Sequence, residues 1–137
     1  MATILVLDDE PGVSHFLTMF LRSEGFGVCQ AANGADGLRV LASEEPDLII
    51  LDLNMPVMDG QTFYRAARSS GFDGQVVVCS AYGAEAARGE LGANAAITKP
   101  FDPDSLLSII DELLASNSQQ TSLSDRRRLA RKRVTAR

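Results

Sequence analysis

A chain of 137 residues, 45% of them hydrophobic, is long enough for one ordinary domain with a real core, which excludes wholesale disorder. Its net charge of −5 is unevenly spread: residues 1–116 carry 6 Lys+Arg against 17 Asp+Glu, whereas residues 117–137 carry 7 against 1. An acidic body excludes general nucleic-acid binding by the domain itself and confines that function to the tail.

The first apolar run, Ile4–Leu7, follows a start without a basic leader, and no run approaches the roughly 18 apolar residues of a membrane span. A cytoplasmic protein without membrane contact is expected. Val13, Phe16, Leu17, Phe20 and Leu21 then recur at helical spacing, with Gly25 as a stop. A second strand is predicted over Phe26–Ala31, and a helix bearing Leu38, Leu41 and Ala42 after the Asn33-Gly34 turn. The run Leu48–Leu51 predicts a third strand, and Asp59 an N-cap for a helix through Phe63, Tyr64 and Ala67. Val76–Cys79 reads as a fourth strand. A weak helix is predicted near Ala84–Leu91, because Gly89 and a run of alanines offer little apolar surface. Ala95–Thr98 is the fifth strand, and Asp102 and Pro103 open a helix whose face holds Leu106, Ile110, Leu113 and Leu114.

Five strands alternating with five helices imply right-handed βαβ crossovers and a doubly wound parallel sheet. The continuously apolar strands suit a sheet covered on both faces. Cys29 and Cys79 lie inside apolar runs without CxxC spacing and read as small buried thiols of a reducing compartment. From Ser116 the polar run Ser-Asn-Ser-Gln-Gln-Thr-Ser-Leu-Ser predicts a linker, so the domain is expected to span 1–116 and a polar and basic tail 117–137.

In an open parallel sheet, ligands bind beyond the carboxyl ends of the strands. Asp8, Asp9, Asp52, Ser80 and Lys99 all fall at such ends. Each alone is an ordinary cap or loop charge; four strands delivering polar groups to one rim is not ordinary. Three neighbouring carboxylates repel one another unless a cation joins them, and oxygen-only ligation suits Mg²⁺, with Mn²⁺ as the alternative. A carboxylate can act as nucleophile toward phosphorus, and Lys99 and Ser80 could neutralise and bind the moving group. Asp52 is the best nucleophile, being a single carboxylate with Asn54-Met55-Pro56 turning the chain beyond it.

Leu7-Asp8-Asp9-Glu10-Pro11, Asp52-Leu53-Asn54-Met55-Pro56 with Met58-Asp59-Gly60, Ser80-Ala81 and Lys99-Pro100-Phe101 stand in the order and spacing of a known family. The chain resembles the receiver domain of two-component response regulators over about residues 3–116. The resemblance implies a flavodoxin-like sheet of order 2-1-3-4-5 and a regulatory phosphoacceptor rather than an enzyme, with self-phosphorylation from phosphodonors and slow autodephosphorylation. It makes Asp52 the phosphoacceptor. Asp9, Asp52 and the backbone carbonyl of Asn54 would hold Mg²⁺, with Asp8 acting through water, and Ser80 and Lys99 would contact the phosphoryl group. The Lys99-Pro100 peptide would be cis. Asn54 and Tyr82 would tune dephosphorylation. The partners implied are a histidine kinase or phosphotransfer protein, and an effector domain or protein reached through the fourth helix, fifth strand and fifth helix, with homodimerisation open.

One position departs from the family pattern. Tyr or Phe usually stands three residues before the lysine as a moving switch, and here that residue is Ala96. The only imidazole, His15, lies off the apolar face of the first helix, so the phosphodonor must be another molecule. A haloacid-dehalogenase-type hydrolase is the rival enzyme reading, although its Asp-x-Asp is replaced by Asp8-Asp9-Glu10. A stand-alone interaction module indifferent to phosphorylation is a third reading, motivated by Ala96. A calcium loop over 52–60 fails because Val57 and Phe63 occupy its glycine and glutamate positions. The basic run Asp125–Arg137 reads as a linker toward an effector domain beyond this chain, a solvated tail, or a contact for nucleic acid or an acidic partner.

Overall fold

The computed structural model describes residues 2–120, with side chains through Ala115. Its elements alternate strictly: β1 (Thr3–Leu7), α1 (Pro11–Ser23), β2 (Gly27–Ala31), α2 (Gly34–Glu44), β3 (Leu48–Asp52), α3 (Gly60–Ser69), β4 (Gln75–Ser80), α4 (Ala84–Leu91), β5 (Ala95–Thr98) and α5 (Pro103–Gln120). The strands form one parallel sheet in the order β2-β1-β3-β4-β5. This is the doubly wound, flavodoxin-like architecture expected from the sequence.

Successive residues of a strand point to opposite faces, so an apolar run without alternation supplies two cores at once. Leu5, Leu7, Ile49, Leu51, Val76 and Val78 pack on one face with Leu41, Phe63, Tyr64 and Ala67 of α2 and α3. Ile4, Val6, Leu48, Ile50, Val77 and Cys79 pack on the other with Leu17, Leu21, Leu106 and Ile110 of α1 and α5.

Local signals set the helix ends. The Asn33 side chain accepts from the Asp36 N–H at 2.9 Å and that of Asp59 from the Thr62 N–H at 2.8 Å, so α2 and α3 begin at side-chain caps. The α4 helix has no such cap: Gly83 precedes it at φ 69°, Gly92 ends it at φ 78°, and only Ala84 is buried. That agrees with the weak helix predicted there. The α5 helix runs to Gln120, past the predicted domain end at 116, and the segment 121–137 with its basic run lies outside the described residues. No helix among the described residues is long and apolar enough to cross a membrane.

At the far end of the sheet from the aspartate rim, Arg68 joins three elements. It stacks on Tyr64 and Phe72 and donates to the Tyr64 hydroxyl, the Phe72 and Gly74 carbonyls and Asn94 Oδ1 at 2.8–3.3 Å. The buried Asp47 accepts there from the Thr3 N–H at 2.9 Å, tying the starts of β1 and β3.

Near the rim, a single glycine lets α3 reach the strand end. A Cβ on Gly60 would come within 2.6 Å of both the Asp52 carbonyl oxygen and Leu53 Cα. Gly60→Ala should therefore lower the unfolding free energy by about 1–3 kcal/mol in urea denaturation. Gly12→Ala, with nothing within 4 Å of the added carbon, serves as the near-neutral control.

Candidate functional site

Strand register determines which polar residues meet. Leu7 pairs with Leu51, so Asp8 and Asp52 emerge side by side, and Asp52 itself pairs with Cys79. Ser80 pairs with Thr98, and the Lys99 N–H donates to the Ser80 carbonyl at 2.9 Å, placing Lys99 at the same rim. The Lys99–Pro100 peptide is cis.

Carboxylate oxygens of Asp8, Asp9 and Asp52 all lie within 4.8 Å of one another. Asp8 and Asp52 are buried and Asp9 is exposed. Lys99 Nζ sits 3.0 Å from Asp8 Oδ2, 3.6 Å from Asp52 Oδ2 and 3.7 Å from Glu10 Oε1. The other oxygen of Asp8 accepts from the Glu10 N–H at 2.9 Å, so both its oxygens are engaged. Asp52 Oδ1 accepts from the Asn54 N–H at 3.2 Å.

One ammonium does not neutralise this cluster. Burial, with the charges of Asp8 and Asp9 added, pushes the Asp52 carboxyl up to about 6, against the opposing pull of the Asn54 N–H and Lys99. Burial works against the Lys99 charge as well, but its hydrogen bond to Asp8 and the charges of Asp8 and Asp52 hold the ammonium above its ordinary value. Cys79, packed beneath the site, is pushed up to about 12 by burial and stays a neutral thiol.

A divalent cation fits this donor set: three close oxygen ligands, an excess of negative charge, and a buried carboxyl pushed up to about 6 by its burial first and by its acidic neighbours second. Asp8, Asp9 and Asp52 would hold it. Asn54 follows the strand end, where its backbone carbonyl could join them.

The other predicted residues fall in different places. Ser80 is buried, but its hydroxyl hydrogen-bonds the main chain of Tyr82 rather than any aspartate. The Tyr82 side chain is 88% exposed. Ala96 is half-buried against the α2–α4 side of the core, and His15 is exposed on α1. Cys29 is half-buried rather than fully buried, because β2 is an edge strand, and neither cysteine is in a disulfide.

Two features escaped the sequence reading. Glu10 closes the ring of charge around Lys99, visible in the sequence only as a third acidic residue after Asp8 and Asp9. A groove of about 550 Å³ beside the site is walled by Val13, Phe16, Ala81, Pro100 and Phe101, with Lys99 and Glu10 at its edge. The 48% exposure of Phe16 marks its rim. It joins α1 to the loop before α5, a contact that periodicity along one segment does not show.

Comparison with known proteins gives a match over residues 4–111 to the family described as the response regulator receiver domain. The transcriptional regulatory protein GlrR of Escherichia coli is 37% identical over 88% of this chain, which spans only 28% of that protein's length. The sporulation initiation phosphotransferase F of Bacillus subtilis is 33% identical over 84% of this chain and 95% of its own. Among solved structures, a CheY-like response regulator receiver domain protein from Methanospirillum hungatei superposes with a TM-score of 0.83 at 26% identity, covering 88% of this chain and 99% of that one.

The raised Asp52 value has a thermodynamic consequence. A carboxyl whose folded value of about 6 exceeds its unfolded value of 3.8 stabilises the fold fully below 3.8 and loses that contribution as pH rises through 6. Asp52→Asn should therefore stabilise the metal-free protein at pH 7 by roughly 1–3 kcal/mol, with the gain shrinking toward pH 4. Thermal unfolding at the two pH values checks this. Added Mg²⁺ should raise the melting temperature of the wild type more than that of the variant.

Proposed function

This chain belongs to the response regulator receiver domain family, and from that premise we propose that it accepts a phosphoryl group on Asp52 and alters its interaction surface in response. The observation that carries the proposal is the buried Asp52 carboxylate with Lys99 Nζ at 3.6 Å and the carboxylates of Asp8 and Asp9 on its other side.

The reaction is a transfer from a phosphohistidine of a partner histidine kinase or phosphotransfer protein. An Asp52 oxygen forms a bond to phosphorus as the phosphorus–nitrogen bond breaks, and the departing imidazole keeps the electron pair and takes up a proton. Asp52 must be ionised to attack, and a bound cation favours that form, so it would shift the carboxyl's titration below the metal-free value of about 6 and keep transfer going at lower pH. The Asn54 N–H orients the carboxylate, and the Lys99 ammonium stands where charge builds on the phosphoryl oxygens. A divalent cation, when bound, supplies the remaining charge neutralisation. Asp8 is poorly suited to be the nucleophile, because both its oxygens are already engaged. The same chemistry permits self-phosphorylation from a small phosphodonor, and attack by water then returns the carboxylate slowly.

The chain's single histidine is exposed on α1, so the donor histidine lies outside these 137 residues. The apolar groove along Val13, Phe16, Pro100 and Phe101 is where a donor protein would lie with its phosphohistidine over Asp52. Output would pass through α4, β5 and α5 to a downstream domain or protein, or to a second copy of the chain.

Acetyl phosphate with Mg²⁺ should label the wild type at one site and leave Asp52→Asn unlabelled. Labelling that survives in Asp52→Asn but vanishes in Asp8→Asn would instead support the hydrolase-type reading. Phe16→Asp should cut transfer from any kinase competent on the wild type by roughly tenfold while leaving acetyl phosphate labelling unchanged.

A further inference from the structure

Of the three carboxylates at the rim, Asp9 is held least. Asp8 and Asp52 are buried and hydrogen-bonded, whereas Asp9 is exposed, and no hydrogen bond among the described residues anchors its side chain. A cavity of about 280 Å³ lies against it, walled by Asp8, Asp9, Pro11, Ser14, Gln30 and Ala31. Building on the phosphoacceptor reading above, we propose that Gln30, held by Ser14, is a positioning residue for the cation: through water in this cavity its amide fixes Asp9 as a ligand.

Two elements far apart in the chain bring the pair to that wall. Ser14 is buried near the start of α1, and Gln30 stands one residue before the end of β2, beside Val6 of β1. The Asp8 N–H donates to the Ala31 carbonyl at 3.3 Å, which ties together the strand ends that carry Asp9 and Gln30. The Ser14 hydroxyl donates to Gln30 Oε1 at 3.0 Å.

A primary amide has one acceptor oxygen and two N–H donors. With its oxygen taken by Ser14, the Gln30 amide is fixed and still has donors to offer. Of the described residues that line the cavity, only Ser14 and Gln30 carry side-chain donors, and the Ser14 hydrogen is already used. An amide also donates without adding charge, so it can aim Asp9 without competing with a cation as an ammonium would. Mg²⁺ keeps several waters when bound, and groups beyond its direct ligands decide how firmly those ligands are aimed. The cavity has room and polar partners for such waters.

The test uses the full chain and Mn²⁺ alone, with free Mn²⁺ read by electron paramagnetic resonance. Gln30→Ala should weaken binding roughly tenfold, and Ser14→Ala, which leaves the amide present but unaimed, by a smaller factor. Thr18→Val removes a hydroxyl that bonds the Ser14 carbonyl at 2.8 Å on the same helix, and it should bind as the wild type does. At saturating Mn²⁺, acetyl phosphate should label Gln30→Ala as fast as the wild type, because only the holding of Asp9 is lost. Undiminished binding in Gln30→Ala, an equal loss in Thr18→Val, or slow labelling at saturation overturns the positioning role and spares the phosphoacceptor reading. A wild-type chain that binds no Mn²⁺ overturns both.

Discussion

A carboxylate buried beside two others, with one ammonium to share among them, is the constraint from which the rest of this structure follows. Burial and the charges of Asp8 and Asp9 raise Asp52 to about 6, while Lys99 pulls the other way from 3.6 Å. The site is thus built in charge deficit. Such an arrangement opposes folding at neutral pH, and in return it leaves a carboxylate ready to join a cation or a phosphoryl group that a fully paired one would not accept.

The scaffold exists to hold that deficit in place. Two apolar cores anchor the strands from both faces, and the rim residues follow directly from the ends of β1, β3, β4 and β5. Gly60 lets α3 approach the backbone at Asp52, and Arg68 and Asp47 fasten the opposite end of the sheet. The contrast with α4 is one of packing. It is short, uncapped and nearly without buried side chains, and it follows the loop that Ser80 holds.

Three connected features therefore surround Asp52. The charged cluster holds the oxygens and the ammonium that the proposed transfer would use, the groove along α1 offers an apolar surface beside it, and Ala81, between Ser80 and Tyr82, lines that groove.

By itself the sequence determined the element order, the two-sided burial of the strands, the capped starts of α2 and α3, and the identity of the rim residues. These rest on periodicity and local hydrogen bonding, which neighbouring residues settle among themselves. The sheet order came from the family resemblance, and the end of α5 at Gln120 was not legible, because polar residues at a helix end carry no packing signal. Only the tertiary structure decided that Lys99 bonds Asp8 more closely than Asp52, that Glu10 joins the charge ring, that Phe16 rims a groove, and that the Ser80 hydroxyl is engaged by Tyr82. The physical reason is that side-chain direction and electrostatic competition at the rim depend on register between strands far apart in the chain.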